Sequence, residues 1–215
     1  MDLKGCIFDL DGVIVDTARY HYLAWQRLAT EMGFTFTEHD NEALKGVSRM
    51  ASLEILLRIG GIYKSEDEKI ELATRKNNWY VDYISHMTPE EILPGSVELL
   101  KNLRSEGILT AIGSASRNAG MILDGIRLRD MFDVIIDGNK IHSAKPDPEV
   151  FLKGAEEMGL RPGECIVFED AIAGIEAALA AGMKCVGVGK PEMLGRATIV
   201  VPDLNHITVP QLRKL

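Results

Sequence analysis

Near the start of the chain, Phe8-Asp9-Leu10-Asp11-Gly12 sets two carboxylates two positions apart, directly after the apolar run Cys6-Ile7. Asp-Gly is a turn signal, yet Asp9 precedes the turn and adjoins a segment that should be fully buried. A carboxylate there is costly unless it is paired or binds a metal. The pair has a chemistry of its own. One carboxylate can attack phosphorus and carry the phosphoryl group covalently. A second beside it can take a proton from a sugar oxygen or return one. Period-two geometry aligns such residues on a strand, and the Gly12 turn can re-aim Asp11 toward a substrate.

An anionic nucleophile cannot approach an anionic phosphate unless charge is neutralised. Phe168-Glu169-Asp170 ends a later apolar run and brings two more acids. Asp170 alone reads as a cap for a helix starting at Ala171, which leaves Glu169 unexplained. An all-oxygen cluster of Asp9, Asp11, Glu169 and Asp170 suits Mg²⁺. In Ser143-Ala144-Lys145-Pro146-Asp147-Pro148, Asp147 reads as a helix cap and Pro148 as a first helical residue. Lys145 has no part in that and suits a phosphate contact. Gly113-Ser114-Ala115-Ser116 follows another apolar run. Ser116 can cap a helix beginning near Arg117, and hydroxyls with successive N–H groups at such a junction also form an anion site.

The elements that must hold these residues alternate. Apolar runs at Gly5–Leu10, Leu109–Gly113, Asp133–Ile136, Cys165–Phe168, Lys184–Val188 and Thr198–Val201 read as strands of a parallel sheet covered on both faces. Helical spacing marks Ser96–Ser105, Pro148–Met158 and Ala171–Ala181, with Gly107, Gly159 and Gly182 where C-terminal caps fall. This is the pattern of an α/β protein with a doubly wound, Rossmann-like parallel sheet. About seventy residues separate the first strand from the helix before the second, far more than an ordinary crossover. Within them, helices are expected at Ala18–Met32, from about Met50 to Ile59, and from Glu66 to about His86. The expected organisation is a core formed by 1–16 and 88–215 and an inserted all-helical cap at 17–87. Because ligands of such sheets bind beyond the carboxyl ends of the strands, the insert would sit over the site as a lid.

The chain has 215 residues and a formal charge of -8, which argues against a nucleic-acid partner but not against a phosphate held by a few local cations. Cys6, Cys165 and Cys185 show no metal-ligand spacing and read as small core residues in a reducing compartment. No stretch approaches the roughly 18 apolar residues of a membrane span, and Asp9 and Asp11 interrupt the one apolar run that a signal peptide would need. A cytoplasmic monomer is expected.

Asp9-x-Asp11, Ser114, Lys145 and Glu169-Asp170 resemble, in order and over the whole chain, the four motifs of the haloacid dehalogenase superfamily. The resemblance implies Asp9 as nucleophile and Asp11 as general acid and base. It also implies Ser114 and Lys145 on the transferring phosphate, and Mg²⁺ on Asp9, Asp170 and the Asp11 backbone. Further detail is similar to the β-phosphoglucomutase family: Asp16-Thr17-Ala18, His21, Trp25, Lys45-Gly46-Val47-Ser48-Arg49, Ser52, Lys76 and Ser114-Ala115-Ser116-Arg117-Asn118. Taken singly, Lys45 and Arg49 would be solvated surface, His21 and Trp25 a helix face, and Lys76 an exposed charge. The resemblance implies that Arg49, Ser116, Arg117 and Asn118 hold a distal phosphate, and that His21 and Lys76 couple substrate contact to cap closure. Arg117 stands where that family carries Lys, a change that keeps charge but alters geometry. The implied activity converts β-glucose 1-phosphate to glucose 6-phosphate through β-glucose 1,6-bisphosphate.

The alternative is a sugar-phosphate or phosphoglycolate phosphatase, which needs the same core and fewer cap cations. A phosphonate hydrolase would use a cap lysine as a Schiff-base amine, leaving Lys45 and Lys76 as candidates by type. A phospho-acceptor signalling domain also clusters acids and a lysine, but it has no seventy-residue helical insert.

Overall fold

The computed structural model describes residues 2–44 and 47–215. Its centre is a parallel sheet of β1 (Gly5–Phe8), β2 (Leu109–Gly113), β3 (Val134–Ile136), β4 (Cys165–Glu169), β5 (Lys184–Val188) and β6 (Ile199–Val201), in the order β3-β2-β1-β4-β5-β6. Successive side chains of a strand point to opposite faces, so β1 feeds two cores. Cys6 and Phe8 join the larger one, where Phe8 stacks on Phe168 at 4.4 Å; Ile7 joins the other with Val167, Phe151 and Ile175. All three cysteines are buried free thiols in these layers.

Helices cover both faces. α5 (Ser96–Ser105), α6 (Ala119–Gly125) and α10 (Val209–Leu212) contribute to the first core, and α7 (Glu149–Glu157), α8 (Ile172–Ala180) and α9 (Pro191–Leu194) to the second. Between β1 and β2 the chain forms α1 (Ala18–Glu31), α2 (Glu38–Glu42), α3 (Arg49–Ile59) and α4 (Glu66–Ile84), the inserted helical cap. Its core joins Trp25, Leu28, Leu53, Leu56, Leu72 and Ala73. Three of the four helices begin on side-chain caps that satisfy orphan N–H groups: Thr37 before α2, Ser48 before α3 and Ser65 before α4. α2 was not anticipated; five residues are too few for periodicity, and its cap was the signal available.

The two connections to the insert run side by side. Asp16 N–H donates to the Glu91 carbonyl at 3.1 Å and Leu93 N–H to that of Ile14 at 2.9 Å. α4 belongs to both regions, since Leu72 and Ala73 lie in the cap core and Tyr80 and Ile84 in the large core. No helix among the described residues is long and apolar enough to cross a membrane.

Candidate active site

Strand register decides which residues meet. Phe8 lies opposite Ile112 of β2 and Phe168 of β4, so Asp9 emerges level with the ends of both. Asp9 N–H donates to the Phe168 carbonyl at 2.9 Å, and Ser114 N–H to that of Ile136 at 3.0 Å. Strand order reverses between β1 and β4, the place where open α/β sheets bind ligands. Lys145, from the loop before α7, is buried there and donates to both Asp9 Oδ1 and Glu169 Oε1. Burial opposes the ammonium charge, but the two carboxylates outweigh it and hold the lysine above its ordinary value.

Glu169, expected among the metal ligands, accepts a hydrogen bond from this lysine, as Asp9 does. Its other oxygen accepts the Ala171 N–H at 2.9 Å, and a Cβ at Gly174 would collide with the carboxylate. The reason is register: Glu169 is the last residue of β4 and its side chain is wholly buried, whereas Asp170 lines the cavity. Asp9, Asp11 and Asp170 line the cavity together, while the Glu169 carboxylate is held by Lys145 and the Ala171 N–H. Asp170 lies against Gly12, whose φ of 83° and missing Cβ leave the space that its carboxylate fills. The position capping α8 is Ala171, not Asp170. The position capping α7 is Pro148 rather than Asp147, and the helix starts at Glu149; Asp147, one residue earlier, accepts the Glu149 N–H at 2.9 Å.

Asp11 accepts a hydrogen bond from the Thr17 hydroxyl. Burial, with the Asp9 charge adding to it, pushes its carboxyl up to about 7, against Thr17, Lys145 and Lys76.

On the cap, His21 Nδ1 and Lys76 Nζ are 3.0 Å apart, and Lys76 stands 4.3 Å from the Trp25 ring centroid and 4.8 Å from that of Tyr80. Lys76 is therefore buried, not the exposed helical charge that its sequence context suggests. Burial, then the charges of Lys76 and Arg49, hold His21 well below its usual range; burial and Arg49 do the same to Lys76. Arg49, the first residue of α3, is lowered by burial and by Arg117 facing it from the core. Ser48 caps α3 through the Ala51 N–H at 3.3 Å; it lines the cavity with Val47 and Ser52. Lys45 and Gly46 lie outside the described residues.

Ser114 Oγ accepts the Ser116 N–H at 3.1 Å, and Ser116 Oγ accepts that of Asn118 at 3.2 Å. The following helix starts at Ala119 rather than near Arg117. Asn118 donates to Asn77 Oδ1 of α4 at 3.1 Å, a direct bond between core and cap. Sequence reasoning missed Asn77 and Tyr80. Tyr80 lies one helical turn beyond both Lys76 and Asn77 on α4, and that spacing was the signal available.

Asp9, Asp11, Thr17, His21, Trp25, Arg49, Lys76, Ser114 to Asn118 and Asp170 share one cavity of about 1130 Å³ between sheet edge and cap. One end is the Asp9 carboxylate with the buried Lys145 bonded to it, the other a pair of arginines, Arg49 and Arg117.

The chain matches the haloacid dehalogenase-like hydrolase family over residues 3–182. It is 43% identical to a β-phosphoglucomutase of Bacillus subtilis over 99% of this chain and 95% of that protein. A fructose-1-phosphate phosphatase of Escherichia coli is 31% identical over 86% of this chain and 95% of that one. Among solved structures, a β-phosphoglucomutase from Clostridium difficile superposes with a TM-score of 0.94 at 43% identity, covering 99% of this chain and 96% of that one. By its motifs, fold and relatives, the chain belongs to the haloacid dehalogenase-like hydrolase family.

Proposed function

We propose that this enzyme isomerises β-D-glucose 1-phosphate to D-glucose 6-phosphate through an aspartyl phosphate on Asp9 and β-glucose 1,6-bisphosphate. The observation that carries the reading is the two-ended cavity. A bisphosphate has an anion at each end, and a second cation group serves no purpose for a monophosphate cleaved at Asp9. Similarity to the two β-phosphoglucomutases supports the same reading.

The Asp9 phosphoryl group passes to the C6 hydroxyl of the substrate while Asp11 takes the hydroxyl proton. The bisphosphate turns round, its C1 phosphoryl group passes to the Asp9 carboxylate, and Asp11 returns the proton to the departing oxygen. A carboxyl near pH 7 serves both directions, since neither protonation state is scarce. Lys145 offsets the charge of nucleophile and phosphate. Ser114, having accepted Ser116 N–H, keeps its own hydrogen to donate to a phosphate oxygen. Arg49, Ser116, Arg117 and Asn118 hold the far phosphate, and Thr17, His21, Trp25, Ser52 and Lys76 line the sugar's path together with the turn at 45–48.

Asp9, Asp170 and the Asp11 carbonyl suit Mg²⁺, which takes one or two carboxylates and completes its shell with water and substrate phosphate. The Gly12 recess that admits the Asp170 carboxylate beside the nucleophile's turn supports this fit. When bound, the ion would neutralise phosphate charge facing Asp9. Residues 17–87 act as the lid and 1–16 with 88–215 as the phosphotransferase core. The protein works as a cytoplasmic monomer.

The test assays both glucose 1-phosphate anomers, with and without bisphosphate primer, and with Mg²⁺ or EDTA. Primer-stimulated formation of glucose 6-phosphate from the β anomer, lost with EDTA, is expected. Release of inorganic phosphate instead would make the phosphatase alternative the correct one.

A further inference from the structure

Tyr80 belongs to none of the sequence motifs. Its side chain is buried, and among the described residues its hydroxyl finds no hydrogen-bond partner. An idle buried hydroxyl costs free energy, and a phenylalanine in its place would fill the same volume. The group lies at the junction of cap and core. Its ring packs 4.1 Å from the His21 ring, and the side chain borders the cavity. The hydroxyl faces Thr17 without a directed bond, within electrostatic reach of Asp11 and Arg49. Thr17 spends its hydrogen on Asp11 and keeps lone pairs on the same oxygen.

We propose that Tyr80 is a positioning residue for Asp11: its hydroxyl donates to Thr17 Oγ1 and completes a Tyr80–Thr17–Asp11 chain that aims the carboxyl at the sugar oxygen when substrate fills the cavity. Because α4 runs from the cap core into the large core, the chain ties the aim of the acid to the seating of the cap. Packing of the ring fixes the tyrosine, so a small shift of α4 against α1 makes or breaks one hydrogen bond.

The inference rests on Asp11 acting as acid and base. A sugar alkoxide is a poor leaving group and needs the proton, whereas acetate leaves without one, so the two substrates separate aim from everything else. In Tyr80→Phe, turnover of β-glucose 1-phosphate should fall about 10- to 100-fold, the scale of a misaimed catalytic group, with KM little changed. The rate at which acetyl phosphate phosphorylates Asp9 and the thermal stability should hold. In a Thr17→Val background the same change should cost nothing further, because the chain is already cut. If wild-type protein hydrolyses the sugar phosphate instead of isomerising it, the mutase reading falls, and the comparison proceeds on hydrolysis, whose leaving group needs the same proton. Undiminished sugar-phosphate turnover in Tyr80→Phe would overturn the inference. So would equal losses on both substrates, or losses that multiply in the double variant.

Discussion

At the scale of single residues, the site is a set of charges that burial alone would forbid. Lys145 is tolerable because two carboxylates meet it. Asp9→Asn preserves the shape at the end of β1 and leaves Glu169 as the lysine's partner, so the fold should survive while the nucleophile is lost. Phosphoenzyme detected by mass spectrometry after acetyl phosphate treatment should vanish together with turnover. Lys76 is the reverse case. It is buried among Trp25, Tyr80 and His21, and the Asp11 charge that favours it is outweighed by burial and by Arg49. Its folded pKa is lowered, so from that value up to its unfolded value near ~10.4 the unfolded chain binds more protons. Folding stability due to this residue therefore rises with pH through that window and is lowest below it. Lys76→Met should raise stability at pH 7 by about 1 kcal/mol or more, with the advantage shrinking toward pH 10. Thermal melts of both proteins across pH check this, and an advantage that grows with pH would refute the depressed lysine. The acids at 9 and 11 were legible in the sequence because a carboxylate beside an apolar run demands an explanation. The partner of Glu169 was not, since one position along β4 turns a side chain from the cavity into the core.

At the scale of elements, the turn after β1 and the register of three strands assemble the chemistry. The sheet was largely legible: continuous apolar runs marked all six strands, and Leu109–Gly113 and Lys184–Val188 match in full. α1, α3, α4 and α5 were legible from spacing. Helices of four or five residues carry no period to read, so α2, α9 and α10 were not. Nor could spacing show that Asn118 would reach Asn77 across the cleft, because that contact depends on how the cap sits on the core. Gly12 tests the turn. Alanine there would adopt a positive φ at a cost of about 1 kcal/mol, and its Cβ would drive into the Asp170 carboxylate. Gly12→Ala should therefore lower the melting temperature by only a few degrees and raise the Mg²⁺ concentration needed for half-maximal activity far more. An unchanged metal requirement would separate Asp170 from the ion.

At the scale of the whole molecule, a chain of net charge -8 sets two arginines where two surfaces face each other. Arg49 comes from the cap and Arg117 from the core, and each lies in the other's field. With no anion between them they resist closure; with a phosphate they favour it. Arg49→Ala should thus damage a cycle that spans the cleft and spare one that does not. In the proposed reaction Arg49, being on the cap, would meet the far end of a bisphosphate rather than the phosphoryl group at Asp9, Ser114 and Lys145. Losing one charge-assisted pair in a closed site should cost about 2–4 kcal/mol, or roughly 30- to 1,000-fold in rate. The measurement is kcat/KM for β-glucose 1-phosphate and for acetyl phosphate in both proteins. A loss confined to the sugar phosphate is expected. Equal losses on both substrates would assign Arg49 to folding or to the core chemistry. No loss on either would make it a solvated surface charge, and a single-phosphate hydrolase would then account better for the cavity.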